Sequence, residues 1–169
     1  AFARSLARLG DCYINDAFGT AHRAHASTYT MARFFSPDNR FMGYLVESEI
    51  SHINRALHTS RPPFTAIVGG SKVSTKIDII EALMDKVTHL VIGGGIVYTF
   101  AAAMGGRVGA SLVEENYLDV ARRVVERARR NQVTLVLPED CLIADRFDND
   151  AEIRHAPIDQ IPDGWMGLD

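Results

Sequence analysis

Apolar and polar positions follow two regimes along this chain. In the first, Phe2, Leu6 and Leu9 fall at helical spacing over residues 2–9, and Gly10 is a stop signal. Cys12-Tyr13-Ile14 reads as a short strand entering the turn-rich stretch from Asn15 to Thr20. Residues 28–42 fit neither period, and Pro37-Asp38-Asn39 marks a turn there. From Gly43 to about His58 the set Leu45, Ile50, Ile53 and Leu57 predicts a second helix, ended by Arg61-Pro62-Pro63.

Beyond Pro63 the regime changes to strand–helix alternation. Phe64–Val68 is a buried-type strand closed by Gly69-Gly70, and residues 72–86 predict a helix with Ile77, Ile80, Leu83 and Met84 on one face. His89–Ile92 is the next strand, closed by Gly93-Gly94-Gly95 and followed by a short helix to about Ala103. Ser111 and Glu114 have the spacing of a capping box, opening a helix whose core stripe is Leu118, Ala121, Val125 and Ala128. Val133–Leu137 and the shorter Leu142–Ala144 complete the set of strands. This alternation argues for an α/β fold with a parallel sheet covered by helices on both faces, and ligands in such sheets sit beyond the carboxyl ends of the strands. Both glycine runs fall at those ends.

The 169 residues are ordinary in composition, at 47% hydrophobic and 23% charged, with a net charge of −3. That balance excludes bulk electrostatic binding of nucleic acid or anionic membrane, though not a local patch. No apolar run reaches the roughly 18 residues of a membrane-crossing helix. Cys12 and Cys141 lie far apart with no C-x-x-C spacing, so neither a zinc cage nor a disulfide framework is suggested; reduced structural thiols are the reading, and a cytoplasmic address fits it. The chain starts inside a helical pattern and stops without a closing element, so it reads as an excerpt of a longer protein.

Four constellations carry candidate chemistry. GGSKVSTK at 69–76 combines glycines that admit a close ligand with Lys72 and Lys76, which a helix would stack one turn apart near its positive end. A phosphate chain would relieve their repulsion; a solvated lysine face is the other reading, and the spacing is not that of a Walker A loop. Gly93-Gly94-Gly95 suits a flat ring or a phosphate laid on backbone, or merely a tight turn. His22, Arg23 and His25 cluster beside a glycine turn as an anion site, a metal pair lacking further ligands, or a solvated loop. Arg122, Arg123, Arg127, Arg129 and Arg130 could serve RNA, but no interleaved aromatics accompany them and cations suit a helix C-terminus.

Taken in order, NDAFGTAHRAH at 15–25, GGSKVSTK at 69–76, GGG at 93–95, SLVEE at 111–115, LPEDCLIADRF at 137–147 and IPDGWMGLD at 161–169 resemble phosphoglycerate kinase. The resemblance implies Rossmann-like three-layer architecture in two partial domains joined by a helix. Residues 1–43 would end an N-terminal substrate-binding domain, 44–60 would be the connecting hinge helix, and 61–169 would begin a C-terminal nucleotide-binding domain. It implies that Arg23 binds 3-phosphoglycerate, with His22 and His25 in the same patch. Lys76 would follow the transferred phosphoryl group as a catalytic cation alongside Arg23, and Lys72 would meet the nucleotide's α-phosphate. Gly70, Gly93, Gly94 and Gly95 would line the nucleotide site. The implied reaction is reversible phosphoryl transfer from 1,3-bisphosphoglycerate to ADP, giving ATP and 3-phosphoglycerate in glycolysis. Mg²⁺ would accompany the nucleotide, its protein ligand lying outside this segment. The parent would be monomeric, and the segment alone inactive. A nicotinamide-dependent oxidoreductase is the alternative that strand–helix alternation with glycine turns leaves open.

Overall fold

The computed structural model describes residues 1–59 and 61–168 of the chain. Ser60, last residue of the expected connecting helix, and Asp169, last of the IPDGWMGLD motif, lie outside the described residues. The chain divides into two compact units, Ala1–Ser60 and Arg61–Asp169.

In the first unit, helix α1 (Phe2–Ala7) precedes strand β1 (Tyr13–Asn15), which pairs in parallel with β2 (Arg40–Met42), Tyr13 opposite Arg40. The stretch without a clear period is a chain of short turns: a π-turn at Ala26–Thr30 and 3₁₀ turns at Met31–Phe34 and Pro37–Asn39. Side chains substitute for regular backbone pairing here. The Tyr13 hydroxyl donates to the Ser27 and Thr28 carbonyls (3.1 and 2.9 Å), and the Arg40 guanidinium donates twice to the Phe35 carbonyl. Helix α2 (Tyr44–Thr59) forms where the sequence predicts it. Its start is capped from a distance, since Asp16 Oδ1 accepts from the N–H groups of Leu45 (2.8 Å) and Val46 (3.1 Å). Gly43 leaves the room this needs, because a Cβ there would collide with the Asp16 carboxyl group. The predicted stripe is largely in solvent: Leu45 and Ile53 are 51% and 45% exposed, while Val46 is buried.

In the second unit, β3 (Thr65–Gly69), β4 (His89–Gly93) and β6 (Thr134–Val136) form a parallel sheet in the order β3–β4–β6. Helices α3 (Ile77–Leu83), α4 (Ile96–Ala103) and α5 (Leu118–Arg130) lie in the crossovers, and β5 (Arg107–Val108) follows α4. Both crossovers advance the same way across the sheet, and right-handed connections therefore put all three helices on one face. Val68, Leu90 and Ile92 supply that face of the core, with Ile80, Ile96, Phe100 and Val124 from the helices and Met84 from just after α3. On the opposite face Ile67 is 77% exposed, so among the described residues the cover expected on both faces is present on one.

Leu142–Ala144 lies within β7 (Asp140–Ala144), which is not a further parallel strand. It pairs antiparallel with β8 (Ile153–Pro157) and β10 (Met166–Gly167), while β9 (Gln160–Ile161) pairs in parallel with β5. Leu137–Glu139, the connection from β6 to β7, is too short for a parallel crossover. Both cysteines are unpaired, Cys12 exposed and Cys141 buried. No helix among the described residues is long and apolar enough to cross a membrane.

Candidate functional site

Because β3 and β4 run in parallel with Gly69 opposite Gly93, the loops leaving their carboxyl ends lie side by side. They dock backbone to backbone. The Ile96 N–H, opening α4, donates to the Gly70 carbonyl at 2.9 Å. Gly94 has φ +66°, and a Cβ on it would stand 3.1 Å from Gly70 N and O. A Cβ on Gly95 would stand 3.3 Å from Ser71 Cα. Those two glycines are therefore explained by loop docking. Gly93 is different: nothing lies within 4 Å of where its Cβ would be, so this position leaves space over the strand end. At Gly70 a Cβ would meet Lys76 Cε at 3.1 Å, so the Lys76 stem passes across Gly70.

The lysines do not share a helix face, contrary to the expected helix over 72–86. Lys72 is extended (φ −134°, ψ 129°) ahead of a 3₁₀ turn at Val73–Thr75, and Lys76 stands immediately before the seven-residue α3. Glu114 is bonded to the turn between the two lysines. Its carboxylate accepts from the Ser74 N–H (2.9 Å) and the Ser74 hydroxyl (2.7 Å), while Val73 is fully buried and its carbonyl accepts from the Lys76 N–H at 2.8 Å. The Ser74 hydroxyl, above all, holds the Glu114 carboxyl below its ordinary value; partial burial opposes this, and the Ser74 and Val73 N–H groups and the Lys72 charge add to it. Lys76 is half-buried, Lys72 is exposed, and neither forms an ion pair among the described residues. Two unpaired ammonium groups on a pinned turn can receive phosphate oxygens without a helix dipole.

The capping box at 111–114 is likewise not formed. The Ser111 hydroxyl accepts from the Gly167 N–H at 2.8 Å, Glu114 is committed to Ser74, and α5 opens through a 3₁₀ turn at Glu115–Tyr117. Tertiary partners have taken both side chains.

A cleft of about 480 Å³ adjoins the glycine loop, lined by Ser71, Gly95, Tyr98, Leu112, Phe147 and Gly167 among others. Phe147 is 86% exposed at this cleft and Leu112 half so, an apolar wall suited to a flat ring. Neither residue was a sequence candidate, although each lies within a motif, SLVEE or LPEDCLIADRF.

In the first unit, His22, Arg23 and His25 are all exposed. Arg23 Nε donates to His22 Nε2 (3.3 Å), and the backbone is tied by Thr28 Oγ1 to the Arg23 carbonyl (3.1 Å) and by the Tyr29 and Thr30 N–H groups to the His25 carbonyl. The turns hold the chain and leave the side chains outward. Among the described residues no group of three or more His, Cys, Asp or Glu could hold a metal ion. In the arginine-rich helix, Arg122 bonds Asp119 and the Ala103 carbonyl, and Arg127 bonds both oxygens of Asp85.

Comparison with known proteins identifies relatives for this arrangement. The family model described as phosphoglycerate kinase matches residues 1–169. The phosphoglycerate kinase of Porphyromonas gingivalis is 54% identical over 168 residues, covering 99% of this chain and 40% of the relative. The cytosolic phosphoglycerate kinase of Nicotiana tabacum is 51% identical over 168 residues, with 41% of its length covered. Among solved structures, phosphoglycerate kinase from Coxiella burnetii superposes with a TM-score of 0.79 at 41% identity, over 99% of this chain and 42% of that one. The chain thus spans about two-fifths of the length of the curated relatives it matches. The nicotinamide alternative gains no support from these matches.

Proposed function

Since the chain belongs to the phosphoglycerate kinase family, we propose that it carries the nucleotide-phosphate cations, and one substrate-binding patch, of an enzyme that moves a phosphoryl group between 1,3-bisphosphoglycerate and ADP. An oxygen of the ADP β-phosphate attacks the acyl phosphate, the bond to the carboxyl oxygen breaks, and the products are ATP and 3-phosphoglycerate. Such transfer needs positioning and charge stabilisation rather than a covalent nucleophile. Lys76 steadies the migrating phosphoryl group, Lys72 meets the α-phosphate, and Gly93 with the Leu112–Phe147 cleft receives the nucleoside. Arg23, with His22 and His25, takes the phosphoglycerate. Residues 44–60 act as the connecting helix between a substrate domain ending at 43 and a nucleotide domain beginning at 61.

The observation that carries this reading is the docking of the two strand-end loops through the Ile96–Gly70 bond, with the Lys76 stem across Gly70 and, among the described residues, no carboxylate paired to its ammonium. Mg²⁺ would travel with the nucleotide and offset phosphate charge. The described residues form no group of three or more His, Cys, Asp or Glu that could hold it. A cytosolic, monomeric parent that binds neither nucleic acid nor membrane completes the proposal; the tobacco relative carries the word cytosolic in its name.

The test is a chimera in which this chain replaces the corresponding segment of the Porphyromonas gingivalis relative. Lys76→Met in that chimera is expected to lower kcat by about 100-fold or more, the scale of losing one transition-state donor. Full turnover by the variant would overturn the role given to Lys76.

A further inference from the structure

We propose that Glu114 is a positioning residue: by holding Ser74, its carboxylate keeps the turn bearing Lys72 and Lys76 in the geometry that receives the nucleotide's phosphates. The inference rests on the phosphoryl-transfer reading above.

A carboxylate near a polyphosphate site repels the ligand by charge, so its presence there calls for another reason. The geometry supplies one. Both oxygens are engaged by Ser74, one by its N–H and one by its hydroxyl, and hydrogen bonds to an ionised acceptor are the strong kind. Ser74 sits midway between the two lysines, so one acceptor restrains both. The anchor is itself anchored: the Glu114 N–H donates to Thr99 Oγ1 at 3.1 Å, and Thr99 is buried on α4. That helix opens on the Gly70 carbonyl. A closed circuit results, from the lysine turn through Ser74, Glu114, Thr99 and α4 back to Gly70, against which Lys76 lies. It joins the lysine segment to the glycine loop entirely within the second unit. The depressed pKa of Glu114 agrees with this role, since the group stays an ionised acceptor at neutral pH.

Three forms of the chain test it: wild type, Glu114→Ala and Glu114→Gln. The readouts are amide hydrogen exchange at Ser74 and Lys76, ADP affinity by NMR titration, and thermal midpoint. Glutamine keeps an acceptor for the Ser74 N–H and an amide that can bond the hydroxyl, but it carries no charge. Glu114→Ala is expected to speed Ser74 exchange and weaken ADP binding, each about tenfold, whereas Glu114→Gln stays within about twofold on both. If both variants tighten ADP equally, Glu114 acts only as a repelling charge and the proposal is overturned. It is overturned equally if the midpoint falls in Glu114→Ala while ADP affinity holds. If wild type itself fails to bind ADP, the nucleotide-site reading of this segment is what fails. The exchange arm then decides alone: lost protection in the alanine form with rescue by glutamine supports the hold on the turn, and unchanged protection overturns it. Should Glu114→Ala not fold, Ser74→Ala replaces it, with about threefold weaker ADP binding expected from loss of the hydroxyl bond.

Discussion

The two units hold their candidate cations in opposite ways. In the second, Lys72 and Lys76 flank a turn whose middle is clamped by Glu114 and whose first residue, Val73, is completely buried beside a packed sheet–helix core. In the first, Arg23 stands among short turns, and no residue from Arg4 to Phe34 is buried. Regions with few buried contacts open at low free-energy cost, and ordering them is charged against ligand affinity. The lysine turn is thus organised in advance. The arginine patch has its backbone tied and its side chains exposed, with Arg23 bonded to its neighbour His22.

The largest expected contrast is in the cores. Leu90→Ala, at a fully buried position, is expected to cost about 2–5 kcal/mol in urea unfolding followed by Trp165 fluorescence in the same unit. Ile53→Ala on the exposed stripe of α2 should change stability by less than about 0.5 kcal/mol, read from exchange of the α2 amides. Equal costs would break the comparison. Next come the glycines. Gly94→Ala, forced into positive φ against the Gly70 backbone, should lose about 1–3 kcal/mol by the same fluorescence assay. Gly93→Ala has open space and should leave the unfolding midpoint nearly unchanged while weakening ADP binding; a large stability loss there would contradict the room inferred over that strand end.

In the first unit, Asp16→Ala should cost about 1 kcal/mol and speed exchange at Leu45 and Val46, with the rest of α2 less affected. The smallest effect is in pH. The folded-state pKa of Glu114 lies below the ordinary 4.5, so its contribution is complete above that value and disappears as pH falls through the lower folded one. Acid titration of thermal stability should show this sensitivity in wild type and lose it in Glu114→Gln. An unchanged acid profile would mean the carboxylate's charge adds nothing to the fold.

Much of the second unit was legible because its signals are local. Apolar runs ended by glycine mark β3 and β4, and the stripe containing Ala121 and Ala128 marks α5, both residues being fully buried. The short β5, β8, β9 and β10 carried no such pattern; they are two to five residues long and owe their pairing to neighbours distant in sequence. At the site, the glycines and lysines stood out as residue types, but Phe147, Leu112 and the role of Glu114 did not. The Ser111–Glu114 spacing mimics a cap, yet both side chains bond elsewhere, 56 and 40 residues away in sequence.

The sequence by itself determined the hydrophobic period of each main element, the glycine punctuation at the strand ends and, through its motifs, the family. Only the tertiary structure decided which glycines dock loops and which leaves room, where α3 begins, and that Asp16 caps a helix starting 28 residues further along. Propensity and periodicity act over a turn or two of chain, whereas a carboxylate bonds whichever donors the packed core brings within reach. That choice is made in space, after the elements have met.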